Sequence, residues 1–204
     1  MKTVAIVDYG MCNLDSVARA VQECGGDPRV TADPKTIASA DSVILPGVGA
    51  FGAGMAHLRE RGLEAPLREA ALERKVPFLG ICLGMQLLST RGEESGDTKG
   101  LGWIDAETVL IKPAAGERLP HIGWNEVRPS QESPLFKAIA PGTDYYFVHS
   151  YAVRPNDASL TLATAPFGGG VCAAVKKGNI YGVQFHPEKS QKAGFALLRN
   201  FLSL

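Results

Sequence analysis

The sequence predicts a single α/β domain: a central, mostly parallel sheet flanked by helices, with an antiparallel portion in its C-terminal half. Three observations predict it. In the first half, short apolar runs alternate with helical patterns, as in successive βα units. Those runs are apolar at nearly every position, as expected of strands covered on both faces. In the second half, six β-like runs follow one another with turn residues between them.

Val4 to Val7 is the first apolar run and reads as a buried parallel strand. Asp8 to Asn13 forms the turn, with Asn13 a plausible N-cap for the helix that follows. Leu14, Val17, Ala18 and Val21 keep i, i+3, i+4, i+7 spacing, and Gly25-Gly26 stops that helix. The second unit is a strand over Ser42 to Leu45, a Gly-rich loop from Pro46 to Gly54, and a helical pattern across Leu63 to Arg74. The third strand, Pro77 to Ile81, runs straight into Cys82 and a helical stretch from Leu83 to Thr90. Beyond it come Ala106 to Ile111, Ile122 to Val127, Tyr145 to His149, Leu160 to Ala165, Val171 to Lys176 and Ile180 to Phe185. A terminal helix carries Phe195, Leu198 and Leu202 on one stripe.

At 204 residues the chain suits one domain with a real core. Hydrophobic residues make up 45% and charged residues 21%, the profile of a globular protein. Lys plus Arg and Asp plus Glu each number 21, so net charge gives no reason to expect nucleic acid or an anionic membrane as partner. The N-terminal apolar run is too short for a signal peptide, and the longest one, Val76 to Met85, is broken by Pro77, Gly80 and Gly84. The four cysteines, Cys12, Cys24, Cys82 and Cys172, form no CxxC pair and no metal-ligand spacing with histidine. No metal and no cofactor are expected. A cytoplasmic location with reduced thiols is the natural reading.

Gly80-Ile81-Cys82-Leu83-Gly84 places a cysteine between two glycines where a strand meets a helix, the thiol counterpart of a nucleophile elbow. Flanking glycines permit the sharp turn that exposes the nucleophile. The adjacent helix start favours the thiolate, and the Leu83 N–H points where an oxyanion would form. The competing reading is a small buried core thiol. Gln184-Phe185-His186-Pro187-Glu188 supplies a base. Pro187 keeps His186 extended, and two-residue spacing in extended chain puts Glu188 beside it to orient the imidazole. Nucleophile, base and orienter together are more specific than either segment alone.

Other motifs carry less. Gly47-Val48-Gly49-Ala50-Phe51-Gly52 matches G-x-G-x-x-G, but it sits in the second βα unit, and the nearest acidic residue, Glu64, lies in helical pattern. Nucleotide binding is not expected. A better use of the loop is to present the Val48 or Gly49 N–H as a second oxyanion donor. His57 reads as a surface residue, His121 and His149 as packing or substrate contacts, and Cys24 and Cys172 as core.

These motifs add up to a resemblance. GICLGMQLL around Cys82 and GVQFHPEKS around His186 are similar to the class I, triad-type glutamine amidotransferases. VDYGMCNLDSVARA, LPGVGAFGAGM, GLGWIDAETV, PHIGWNEV and YFVHSY resemble, more narrowly, the glutaminase subunits of imidazole glycerol phosphate synthase. The resemblance covers residues 1–204 as one glutamine amidotransferase domain. Cys12 departs from it, standing where the family pattern has glycine. The resemblance implies that Cys82 attacks the side-chain amide of glutamine, that His186 and Glu188 complete the triad, and that the Val48-Gly49 loop and Leu83 stabilise the oxyanion. It implies further that Gln86, Gly49, His149, Ser150 and Tyr151 hold glutamine.

It also implies a partner, a (β/α)8-barrel cyclase bound as a heterodimer, to which ammonia passes. The products would be imidazole glycerol phosphate and an aminoimidazole carboxamide ribonucleotide. Asn13, Trp124 and Lys189 match family positions at that interface; by their residue types alone they read as a helix cap, a core residue and a solvated charge. The Val48 N–H is expected to be misdirected at rest and turned inward by the partner's substrate. Three alternatives stay open at this point: the glutaminase of another amidotransferase, a non-enzymatic binding protein on this fold, and a partner-independent cysteine hydrolase.

Overall fold

The computed structural model describes residues 1–204. Thirteen strands run in chain order: β1 (Thr3–Val7), β2 (Asp27–Thr31), β3 (Ser42–Gly47), β4 (Phe78–Cys82), β5 (Arg91–Gly92), β6 (Thr98–Lys99), β7 (Ala106–Leu110), β8 (His121–Pro129), β9 (Thr143–His149), β10 (Tyr151–Pro155), β11 (Thr161–Ala165), β12 (Val171–Lys177) and β13 (Ile180–Val183). Six α-helices accompany them: α1 (Leu14–Glu23), α2 (Pro34–Ser39), α3 (Phe51–Glu60), α4 (Glu64–Arg68), α5 (Leu83–Gln86) and α6 (Gln191–Leu202).

Nine strands form one mixed sheet in the order β2-β1-β3-β4-β13-β12-β11-β8-β9. From β2 to β13 every pairing is parallel; from β13 to β9 every pairing is antiparallel. The antiparallel extension therefore lies where the second-half runs placed it. A smaller sheet, β10-β7-β5-β6, packs alongside.

Alternation explains the apolar runs. Val4, Ile6, Ile44, Leu79 and Ile81 belong to one core, with Val17 and Val21 of α1 and Leu197, Leu198 and Phe201 of α6. Ala5, Val7, Val43, Leu45 and Phe78 face the other core, with Ile37 of α2, Met55 and Leu58 of α3 and Leu67 of α4. Successive side chains on a strand point to opposite faces, so a strand between two cores must be apolar throughout.

Several boundaries differ from the sequence reading. Helix α3 starts inside the segment read as a Gly-rich loop, because Gly54 packs against Leu83 and Leu87 rather than bending the chain. The helix after Cys82 closes after four residues, since Leu88 and Ser89 turn back to bond Met85 and Gln86. Arg68 runs on into one π-helical turn, Glu69–Glu73. The stripe that α6 buries is Gly194, Leu197, Leu198 and Phe201, with Phe195 and Leu202 only half-buried. Strands β2, β5, β6 and β10 have no counterpart in the sequence reading; β2, Asp-Pro-Arg-Val-Thr, is a sheet edge with little burial to betray it.

Candidate active site

In parallel α/β sheets ligands bind outside the C-terminal ends of the strands. The ends of β3, β4 and β13 bring the predicted residues together there.

Cys82 closes β4 at φ 53°, ψ −110°, a left-handed region that a non-glycine residue enters only at a cost of about 1–3 kcal/mol. Close packing enforces it. A Cβ on Gly80 would lie 2.6 Å from the Gly84 carbonyl oxygen, and one on Gly84 would overlap the Leu45 carbonyl oxygen. Both flanking positions need glycine for space. The elbow is real, although α5 is too short to contribute more than a fraction of a helix dipole. Leu83 buries its side chain against Gly54, so its backbone amide, in the first helical turn, is what it can offer.

The imidazole arrives on the neighbouring strand. β13 runs parallel to β4 with Gly182 opposite Gly80 and Val183 opposite Ile81. Two residues beyond the strand, His186 is extended (φ −101°, ψ 95°), as Pro187 dictates. Glu188 is not extended: Pro187–Lys189 forms a 3-10 turn, and that turn, not strand geometry, sets its carboxylate beside the ring. The His186 Nδ1–Glu188 Oε1 distance is 2.7 Å, with both side chains 3% exposed. The His186 N–H donates to Tyr146 O at 2.9 Å, and Ser190 Oγ donates to His186 O at 2.6 Å, fixing the base at both ends.

With Nδ1–H on the carboxylate, Nε2 of His186 is the ring atom left over, buried and without a partner. It faces a cavity of about 260 Å³ whose lining includes Cys82, His186, Val48, Gly49, Gln86 and Glu94. Burial acts to lower the His186 pKa, but interactions with Cys82 and Glu188 outweigh it and raise it to about 9. A larger recess of about 800 Å³ beside Pro129 and Pro141 contains neither thiol nor imidazole.

Gly47 lies opposite Cys82, so the next residues of the β3 loop flank the thiol. The Val48 N–H donates to the Met11 carbonyl at 2.8 Å and is not free to face the cavity. Gly49 has φ 105°, and a side chain there would meet Met11 Cε at 2.7 Å. Cys12, next to Met11, is half-buried with Sγ donating to Val7 O at 3.6 Å, and burial raises its pKa.

His149, Ser150 and Tyr151 form the opposite cavity wall. Here a polar chain extends inward from β8. The partners fix its tautomers: Asn125 Nδ2 donates to His121 Nε2 (3.1 Å), His121 Nδ1 to His149 Nε2 (2.9 Å), and His149 Nδ1 to the Tyr151 carbonyl (2.8 Å). Burial, the largest cause for each, lowers both histidine pKa values from 6.5 to about 4. On acidification the unfolded chain therefore takes up protons before the folded one does. This contribution to stability is expected to be intact above about pH 6.5 and to decline as pH falls toward 4. His186 acts in the opposite sense: its contribution is full below 6.5 and is lost as pH rises through about 9. Urea unfolding between pH 4 and 7 checks the first statement. His149→Gln should flatten the decline, and equal slopes in wild type and variant would refute it.

The positions matched to a partner interface are exposed on the surface. Asn13 occupies the N-cap position of α1 but makes no side-chain capping bond and is exposed, contrary to the capping expectation. Trp124 is 49% exposed and not a core residue; β8 turns it outward, edge-on to Tyr146. Lys189 Nζ sits 5.9 Å from the centre of the Tyr146 ring. Ile122, two residues from Trp124, is 61% exposed and widens the apolar patch.

His57, read as a surface residue, is half-buried with Nδ1 3.0 Å from Tyr9 O. Cys24 is half-buried rather than core, while Cys172 is buried. Two residues of the site, Glu94 and Gln184, had no role in the sequence reading, which took His121 as a packing or substrate contact. Glu94 looks like surface charge in Arg-Gly-Glu-Glu, yet it lines the cavity and accepts the Phe51 N–H at 2.9 Å. Gln184 and His121 are polar residues in strand-like runs, and only sheet register brings them inward. No group of three or more His, Cys, Asp or Glu side chains is placed to hold a metal ion, and no helix is long and apolar enough to cross a membrane.

Comparison with known proteins identifies the family and the fold. The family profile described as glutamine amidotransferase class-I matches residues 5–203. The chain is 47% identical over 201 residues to the imidazole glycerol phosphate synthase subunit HisH of Moorella thermoacetica, covering 98% of this chain and 94% of that one. It is 45% identical to HisH 2 of Methanococcus maripaludis, covering 98% of each. Among solved structures, PurLQS from Thermotoga maritima superposes with a TM-score of 0.73 at 20% identity, covering 100% of this chain and 99% of that one. A glutamine amidotransferase from the same organism gives 0.66 at 17%, covering 99% and 96%.

Proposed function

This chain belongs to the class I glutamine amidotransferases, as the HisH-type glutaminase subunit of imidazole glycerol phosphate synthase, and from that premise we propose how its residues release ammonia from glutamine. The carrying observation is the unpartnered, buried Nε2 of His186, held by Glu188 and facing the same cavity as Cys82 on its strained turn.

Cys82 attacks as the thiolate. Its sulfur bonds to the side-chain amide carbon of glutamine, and the carbonyl electrons move onto oxygen. The His186 imidazolium gives its Nε2 proton to the departing nitrogen, so ammonia leaves and a glutamyl thioester remains. Neutral His186 then takes a proton from water. The hydroxide adds to the thioester, the C–S bond breaks, glutamate leaves and the thiolate returns. Glu188 keeps the ring oriented and stabilises the imidazolium throughout.

The Leu83 N–H is one oxyanion donor. Val48 becomes the second when its amide leaves the Met11 carbonyl. One amide must therefore exchange a hydrogen bond before the hole is complete, and the missing donor is worth about 3–4 kcal/mol of barrier. Gln86, Gly49 and the His149-Ser150-Tyr151 strap hold glutamine, and Glu94 places a carboxylate where the substrate's α-ammonium can pair with it.

The partner is a cyclase with a (β/α)8 barrel, bound over the face that carries Asn13, Trp124 and Lys189, in a cytoplasmic heterodimer. Exposed Trp124 and Ile122 supply the apolar contact, as aromatic residues do at interface centres. Ammonia passes to the cyclase, which makes imidazole glycerol phosphate and the aminoimidazole carboxamide ribonucleotide of histidine biosynthesis. Mixing the chain with the cyclase and glutamine tests this reading. Glutamate release should rise by about 10²-fold or more when the cyclase's ribonucleotide is added, the scale of one regained oxyanion donor. Hydrolysis equally fast without cyclase would support a partner-independent hydrolase instead.

A further inference from the structure

We propose that Gln184 is an additional catalytic residue of this site, an amide donor aimed at the Cys82 sulfur, with its polarity fixed by a relay from the Tyr151 carbonyl. The inference rests on the assignment of Cys82 as nucleophile.

Gln184 is fully buried, and its Nε2 lies 3.6 Å from Cys82 Sγ. The position follows from register. With Gly182 opposite Gly80 and Val183 opposite Ile81, the next pair across β4 and β13 is Cys82 and Gln184. A side-chain amide can present either its oxygen or its NH₂, and the neighbours decide which. Gln86 Nε2 donates both to the Tyr151 carbonyl (2.9 Å) and to Gln184 Oε1 (3.1 Å). A backbone carbonyl can only accept, so Gln86 must turn its NH₂ toward it. That places N–H on Gln184 Oε1, and Gln184 is left with its own NH₂ toward the sulfur. The order is set by one atom that cannot reverse its role.

A neutral thiol is a weak acceptor, whereas a thiolate accepts strongly, so the contact favours the ionised sulfur. It serves both half-reactions. The donor steadies the attacking thiolate in the first, and receives it as leaving group when the C–S bond breaks in the second. Between them, in the thioester, sulfur carries no charge and the bond weakens. Glu188 and His186 are arranged around the proton, and Gln184 around the sulfur.

The test uses the chain bound to its cyclase, with wild type, Gln184→Met and Gln184→Glu. Iodoacetamide alkylation of Cys82, located by mass spectrometry, is followed against pH, and glutamine-dependent and ammonium-fed synthesis are measured on the same samples. The alkylation midpoint should rise by about one pH unit in Gln184→Met, the scale of one hydrogen bond to an ionised group, and by more in Gln184→Glu, whose carboxylate also repels the thiolate. The kcat for glutamine should fall about tenfold with KM within about twofold, while ammonium-fed synthesis is unchanged. Gln184→Glu preserves shape and the acceptor for Gln86, so it stands alone if Gln184→Met fails to fold. An unmoved midpoint overturns the assignment of Gln184. If full alkylation of Cys82 leaves glutamine hydrolysis intact, it is the nucleophile reading that fails.

Discussion

Cys82→Ala is expected to reduce glutamine-dependent synthesis by on the order of 10⁴-fold, because the covalent route to the thioester disappears. The same complex should keep ammonium-fed synthesis within about twofold, since the cyclase would still receive its nitrogen. Alanine is the informative replacement. It removes only the sulfur, and the space it leaves is a small part of a cavity that already exists. The chain should fold normally, because alanine bears the strained conformation at this position no worse than cysteine. Kinetics with both nitrogen sources on one preparation check the result. Loss of both activities together would mean that assembly had been damaged. Retention of glutamine hydrolysis would end the proposed mechanism.

Gly84→Ala should have the second-largest effect, on fold and activity together. The added Cβ would overlap the Leu45 backbone carbonyl, which belongs to a central strand and has no rotamer to escape into. Overpacking of this kind costs about 1–3 kcal/mol, a fall in Tm of roughly 3–10 °C for a domain of this size. Activity should fall further than stability, by about 10²-fold, because relief comes from moving α5 away from β3 and Cys82 moves with it. Thermal unfolding and kcat/KM with glutamine measure the two effects separately. Unchanged activity in a folded variant would show that the elbow tolerates displacement.

The parts legible in the sequence were those where one residue type answers to one local demand. Gly80 and Gly84 mark a turn because nothing larger fits beside Leu45 and Gly84's own carbonyl. Val4 to Val7 marks a strand between two cores because both faces must be apolar. The neighbourhood of His186 and Glu188 was legible too, but for a different conformational reason than extended spacing.

What stayed hidden depends on register across long separations. The His121–His149 contact needs β8 and β9 aligned, and Gln184 meets Cys82 only once β13 lies against β4. Neither pairing is encoded in a local period. Trp124 misled for a related reason: a tryptophan in a β-run suggests core, and its outward direction follows from which face of β8 the sheet leaves open. Met11 and Val48 are coupled by a single loop-to-loop hydrogen bond that no spacing rule anticipates.

The placement of β13 between β4 and β12 has a bearing on how the protein is made. A ribosome delivers Cys82 long before residues 180–188, and until they arrive the exposed edge of β4 has no neighbour on that side. During that interval the sulfur has neither imidazole nor carboxamide beside it, so an unfinished polypeptide carries no competent warhead. Chemical power is thus conferred by the last large piece of the sheet to be translated.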